Sequence, residues 1–271
     1  MMRGTPARQL PSTQVTTWHN NSTVLFRSSV FSGPATPNIP GRASYKQLPS
    51  DIPDLLGWWD ARDVAAGSVT SWPARAGVMT TLTGTGTASG SGATANISQP
   101  RYTSTITVAS AGLGTALEPW SMWFIGTVTS LGDDANARYL CDIGSPGGVN
   151  ESGLCWYNYN GNVTKIVSRG DITASASGIS QKTINTKYLW ILTNRDTVHT
   201  YTETGTTTSF IATPTFVPST ANFFVGRQRD NQSNVLLQGN VNAVGFYARY
   251  LTNADITALR VYANTQFDVV N

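Results

Sequence analysis

The sequence predicts an all-β chain: an antiparallel β-sandwich behind an extended N-terminal arm, finished by one short C-terminal amphipathic helix. Three observations predict it. From Leu55 onward, short β-rich runs are separated by Gly, Pro, Asn and Asp. No helices alternate with those runs, which excludes a parallel α/β sheet. Before Pro53 the apolar residues are too sparse and irregular to form a face of helix or sheet. At 271 residues the chain suits one large sandwich with an appendage, not two full domains.

The arm spans 1–53 and the sandwich 54–271. Pro34, Pro37, Pro40, Pro49 and Pro53 deny the arm ladder hydrogen bonds and favour extended backbone. Yet it carries Trp18, Leu25, Phe26, Val30, Phe31 and Tyr45. Burying each large side chain contributes about 1.5–3 kcal/mol, so these residues need a surface. Either the arm docks on a partner, anchored by Trp18, Phe26, Phe31 and Tyr45, or it wraps its own sandwich. Met1 to Gln14 carries Arg3 and Arg8 without an apolar core behind them, so it does not read as a secretory signal. No apolar stretch approaches the roughly 20 residues that span a bilayer.

In the sandwich, strands are expected near Gly57–Asp60, Val78–Leu82, Tyr102–Val108, Trp120–Thr129, Tyr139–Ile143, Gly153–Tyr159, Thr164–Ser168, Tyr188–Thr193, Val198–Glu203, Ser209–Ala212, Phe223–Gly226 and Gly239–Tyr250. Trp120–Val128 and Tyr188–Leu192 are apolar at successive positions, as strands covered on both faces must be. The Gly/Thr/Ser/Ala stretch from Thr83 to Ala95 reads as an exposed, flexible loop. Trp58 and Trp59 alternate across a strand, one inward and one outward, with Trp72 beside the inward one. Most of these tryptophans read as core. Thr252 caps a helix in which Asp255 favours the first turn, and Ile256, Leu259, Ala263 and Phe267 follow at helical spacing.

Charged residues are only 12% of the chain, against 40% hydrophobic, so Thr, Ser, Asn and Gly must cover the surface. The net charge of +3 arises from scattered residues, which disfavours nucleic acid as a partner. Cys141 and Cys155 fall on neighbouring strand-like runs, where a disulfide is geometrically possible; two buried thiols acting as small hydrophobes is the preferred reading.

Two stretches carry a family resemblance. Leu55-Leu-Gly-Trp-Trp-Asp60-Ala-Arg-Asp63 with Val69-Thr-Ser-Trp72 opens the domain. Phe223-Phe-Val-Gly226-Arg, Leu237-Gln-Gly239-Asn-Val241, Val244-Gly-Phe246-Tyr and Leu251-Thr-Asn-Ala-Asp255-Ile-Thr-Ala-Leu259 close it. Together they resemble the concanavalin A-like and laminin G-like jelly-roll domains met in bacteriophage structural proteins, over about Leu55 to Phe267. The resemblance implies a concanavalin-like jelly roll. It does not select a function, because this fold hosts lectins, glycosidases and virion decorations.

Retaining glycosidases need two carboxylates about 5–5.5 Å apart. Here Glu118, Glu151 and Glu203 are isolated, and the adjacent Asp133 and Asp134 read as a solvated turn. His19 and His199 suggest no metal site, and no cofactor is expected. Ca²⁺ on a rim loop is left open, with Asp133, Asp134, Asp142 or Asp230 as ligands. For a saccharide, Trp156, Tyr157, Asn158 and Tyr159 form the densest aromatic cluster, with Arg227, Arg229 and Asp230 as its nearest polar counterpart. The expected function is therefore non-enzymatic: a virion adhesion protein, on a phage tail tip, anchored by its arm to other virion proteins and presenting the sandwich to a host-surface glycan. It would act within an oligomeric particle. The alternatives are a capsid decoration protein, a carbohydrate-binding module without a particle role and, last, a glycoside hydrolase.

Overall fold

The structure is a computed structural model. It describes residues 48–130, 139–145, 183–195, 216–227 and 236–269 in full, and the strand backbones at 19–20, 23–24, 138, 151–159, 163–167, 175–176, 198–203 and 206–211. The chain divides into two units, Met1–Ser44 and Tyr45–Asn271. In the first, β1 (His19–Asn20) pairs antiparallel with β2 (Thr23–Val24). The anchoring residues expected there, Trp18, Phe26 and Phe31, lie outside the described residues, as does Tyr45 of the second unit.

The second unit contains β3 (Leu55–Asp60), β4 (Gly67–Ser68), β5 (Ser71–Pro73), β6 (Thr81–Ser89), β7 (Asn96–Ser104), α1 (Val108–Ala111), β8 (Trp120–Val128), β9 (Arg138–Gly144), β10 (Glu151–Tyr159), β11 (Val163–Val167), β12 (Ser175–Ala176), β13 (Lys187–Arg195), β14 (Val198–Glu203), β15 (Thr206–Ile211), β16 (Asn222–Val225), β17 (Gly239–Tyr247) and α2 (Asn253–Phe267). All pairing is antiparallel and follows one continuous ladder. One stretch runs β3-β17-β8-β13-β14-β15, and the other runs from β4 and β5 through β6-β7-β16-β9-β10-β11-β12. The two join where β7 meets β17 and fold over each other. Phe223 of β16 stacks on Trp59 of β3 and on Phe246 of β17, strands with which it shares no ladder. This is the antiparallel sandwich expected from the sequence.

The main core fills the space between the layers, with Trp59, Trp72, Trp120, Phe124, Trp190, Tyr102 and Phe223 fully buried. A second apolar cluster lies on the outer face of the first stretch, and α2 covers it. Trp58, Trp123, Ile125, Leu189 and Ile191 pack there against Ile256, Leu259, Tyr262, Ala263 and Phe267. Trp58 and Trp59 do face opposite ways, as the strand period demands, yet both are buried. The outward tryptophan is roofed by the helix. Ile52, just before β3, belongs to the same cluster, and the Tyr247 hydroxyl donates to the Pro49 carbonyl at 3.0 Å.

α2 begins as expected. The Thr252 hydroxyl accepts from the Asp255 N–H at 3.3 Å, and the Asp255 carboxylate accepts from the Thr252 N–H at 2.8 Å. At its other end the Lys187 ammonium donates to the Phe267 carbonyl at 2.8 Å, filling one of the acceptors a helix terminus leaves open. Burial lowers the Lys187 pKa, partly offset by Asp268.

Thr83 to Ala95 is not a loop. Most of it is β6, paired along its length with β7. Its Thr83, Thr85, Thr87 and Ser89 are exposed, while Leu82 and Ala88 point inward. Glycine composition suggested a loop, but Gly84 is set by close approach: a Cβ there would fall 1.9 Å from the Arg101 carbonyl oxygen. The strand expected at Tyr102–Val108 is instead the end of β7, and Val108 opens α1 behind the Thr107 cap. Cys141 is a free, fully buried thiol, whose pKa burial raises, with Asp142 adding to the effect.

Candidate functional site

Two polar clusters stand out from the apolar sandwich. The first grows from the Trp59-Asp60-Ala-Arg-Asp63 motif. Asp60 ends β3 with its side chain fully buried. One carboxylate oxygen accepts from the Arg62 N–H at 3.0 Å and from Arg62 Nε at 2.8 Å. The other accepts from the Tyr262 hydroxyl at 2.9 Å, from Arg75 Nη1 at 3.1 Å and from Arg62 Nη2. Arg75 also bridges to Asp63. The Trp72 indole donates to the Asp60 carbonyl at 3.1 Å. The Arg62 guanidinium lies 4.7 Å from the Phe267 ring centre and donates to Gln266 at 2.6 Å. The hydrogen bond with Asp60 raises the Arg62 pKa against the opposing cost of burial.

A tyrosine can serve as a glycosidase nucleophile, so Tyr262 beside Asp60 needs weighing as chemistry. Burial first and then the Asp60 charge push the Tyr262 phenol upward, which opposes a nucleophilic phenolate. Tyr262 is also sealed beneath α2 against Trp58, Trp123 and Phe267. This cluster locks β3 to α2.

The second cluster lies where β7 changes partners. Ile97 and Ser98 pair with Val241 and Asn240 of β17, whereas Tyr102 and Thr103 pair with Val225 and Phe224 of β16. Between them the ladder slips. Thr85 faces Arg101 and Thr87 faces Ser98, so β7 carries one residue more than β6. That bulge contains Gln99, at a left-handed φ of 48°, and Pro100, which has no N–H to lose. Gly226, just after β16, presses on the bulge from the other side: at φ 73° its missing Cβ would sit 2.0 Å from the Pro100 carbonyl oxygen.

The fork opens a cleft of about 320 Å³, lined by Ser98, Gln99, Arg101, Thr129, Leu236, Leu237, Gln238, Gly239 and Asn240. This sits at the low end of the roughly 300–1,000 Å³ typical of ligand pockets. Among the described residues, nothing hydrogen-bonds the side chains of Gln99, Arg101, Thr129, Gln238 or Asn240. Arg101 and Gln99 are exposed. Amides and hydroxyls that both donate and accept, beside one guanidinium, suit a polyhydroxylated ligand.

Of the residues expected from sequence, Arg227 is described and is not among the residues lining this cleft. Arg227 follows Gly226 and places its guanidinium 5.6 Å from the Phe224 ring centre. The backbone of Trp156 to Tyr159 lies on β10, with Cys155 opposite Tyr139 and Trp156 opposite Arg138 on β9. Gly226 donates to the Leu140 carbonyl at 2.9 Å. The ladder therefore brings the aromatic run and Arg227 to the same end of adjacent strands. The side chains of Trp156, Tyr157, Asn158 and Tyr159, and all of Arg229 and Asp230, lie outside the described residues. Of the calcium candidates, Asp142 is fully buried on β9, and Asp133, Asp134 and Asp230 are also outside. Among the described residues, no group of three His, Cys, Asp or Glu is placed to hold a metal ion. Sequence reasoning missed Arg101, Gln99 and Asn240, because no spacing along the chain signals a fork between non-adjacent strands.

With this geometry in hand, the fold has counterparts among solved structures. A Trypanosoma rangeli sialidase in complex with a difluorinated nononic acid superposes with a TM-score of 0.59 at 16% identity, over 86% of this chain and 36% of that one. The same sialidase in complex with sialic acid gives 0.57 at 15% identity, over 79% and 33%. Botulinum neurotoxin type C, whose cell entry is dependent upon interaction with two ganglioside molecules, gives 0.51 at 10% identity, over 78% and 51%. The fold shared with these structures is a β-sandwich. The chain spans about a third of the sialidase's length. No protein-family model and no curated protein matches the sequence.

Proposed function

We propose that this chain is a non-enzymatic attachment protein whose lectin-like sandwich binds a saccharide in the fork cleft. The observation that carries the reading is the concentration there of amide, hydroxyl and guanidinium groups that have no partner among the described residues. Folding leaves such groups unspent only where water or a ligand takes them up. The sialidase solved with sialic acid and the ganglioside-dependent toxin lend support as proteins of like fold that meet sugars. The absence of catalysis is inferred from the Asp60 cluster, where Tyr262 is sealed and its ionisation opposed.

The setting we propose is a virion, with the segment before Pro53 joining the sandwich to other particle proteins and the cleft facing the host. Support comes from a surface carried by Thr and Ser in place of charge, as on the exposed face of β6, and from the phage-like opening motif around Trp58 to Asp63.

A glycan array probed with the full chain, beside fluorogenic glycosides including sialosides, tests the first part. Binding without product release is expected; hydrolysis would overturn the non-enzymatic reading, and no binding to any glycan would overturn the saccharide reading. Particles assembled with a chain lacking 1–44, which spares Pro49 and Ile52, test the second, with loss of incorporation expected and retention defeating it.

A further inference from the structure

Building on the saccharide reading, we infer that the fork cleft takes an acidic sugar, with Arg101 receiving its anionic substituent. Among the described residues lining the cleft, Arg101 is the only charged one and none is a carboxylate. Four other arginines of the sandwich are engaged with protein groups. Arg62 and Arg75 hold Asp60, Arg249 pairs with Asp255, and Arg227 lies over Phe224. In a chain only 12% charged, Arg101 presents an exposed guanidinium in a concavity with no acid opposite it among the described residues.

The backbone at this point is built to hold Arg101 in place. The bulge at Gln99 and Pro100 carries the one left-handed non-glycine residue of β7. Gly84 on β6 and Gly226 after β16 then crowd the Arg101 and Pro100 carbonyls from either side. Residues held in sparsely populated backbone regions gather at binding sites because the surrounding structure over-determines them. Arg101 thus projects from a clamped backbone and not from a loose loop, so little ordering is lost when a ligand arrives.

The chemistry of the lining divides the ligand into two parts. The amides of Gln99, Gln238 and Asn240 and the hydroxyl of Thr129 donate and accept, matching ring hydroxyls. A guanidinium only donates, in a planar fork that fits a carboxylate or a sulfate with two parallel hydrogen bonds. A neutral sugar would leave that fork unmatched. The cleft volume of about 320 Å³ limits the bound part to about one sugar residue, so the acidic group belongs on the sugar that enters it.

The experiment uses the full chain and three sets of glycans sharing one backbone: carboxylated, sulfated, and neutral, the last made by reducing or esterifying the carboxylate. The acidic forms should bind about 10- to 100-fold more tightly than the neutral form, with affinity falling as salt rises. Arg101→Gln should remove that advantage while leaving weak binding of the neutral form and an unchanged melting temperature. Arg101→Lys should restore part of it. The carboxylated and sulfated arms tell which anion is preferred. Equal binding of acidic and neutral forms, or an Arg101→Gln variant that keeps the preference, overturns this inference and leaves the saccharide reading standing. Absence of binding to all three sets overturns both.

Discussion

The Asp60 cluster and the fork cleft are built from the same kinds of groups, arginines with hydrogen-bonding neighbours, and they do opposite things. Around Asp60 every strong donor finds a protein acceptor: two guanidiniums, a phenol and a backbone N–H converge on one buried carboxylate. Around Arg101 the donors meet no acceptor among the described residues and line a cleft. A satisfied, buried polar network specifies how elements pack, whereas unsatisfied exposed groups hold free energy available to a ligand. The difference teaches that polarity and charge by themselves do not mark a site; the degree to which the protein has already used those groups does.

Substitutions can break this contrast, and the largest effect should come from Asp60→Ala. It leaves two arginines and the Tyr262 hydroxyl facing an empty acceptor position beneath α2, so denaturant unfolding should show a loss of about 3–5 kcal/mol. An unchanged midpoint would mean the cluster is not the clamp described. Gly84→Ala comes next, because its new Cβ would meet the Arg101 carbonyl at 1.9 Å. The expected cost is about 1–3 kcal/mol, with weakened glycan binding as β7 is displaced. Wild-type binding in that variant would separate the bulge from the cleft.

Tyr102→Phe should cost about 1 kcal/mol, since the hydroxyl donates to the Val69 carbonyl at 2.9 Å. It also carries a pH signature. Burial pushes the Tyr102 phenol up to about 12, above the roughly 10 of an unfolded tyrosine. The folded state therefore favours the protonated form, and that contribution is complete below about pH 10 and lost as pH rises toward 12. Tyr247 and Tyr262 are raised in the same direction. Urea midpoints should fall above pH 10 in the wild type and fall less steeply in Tyr102→Phe. The smallest effect on stability belongs to Arg101→Gln, expected within about 0.5 kcal/mol because no described residue pairs with that side chain. A larger loss in calorimetry would place Arg101 among the structural arginines.

Much of the architecture was legible along the chain. The apolar run Trp120–Val128, buried on both faces, and the Thr252 to Phe267 helix follow from local patterns of two and 3.6 residues and from a cap whose partners lie three residues apart. The Thr/Gly stretch of β6 was misread because its glycines are explained by the Arg101 backbone across the ladder, not by their own neighbours. The site was less legible. Arg227 and the aromatic run of β10 were singled out by density in sequence, and the ladder does gather their backbones at one end. Arg101, isolated between Pro100 and Tyr102, offered no such density.

What the sequence by itself determined is the all-β class, the closing helix and the apolar identity of the core, since strand period, capping and hydrophobic content are properties of adjacent residues. Only the tertiary structure decided that the outward-facing Trp58 is buried under α2, that Asp60 is saturated, and that β7 splits between β16 and β17 to leave Arg101 unspent. Each of these depends on which distant strand or helix arrives opposite a residue, and that choice is made by the packing of the whole sandwich.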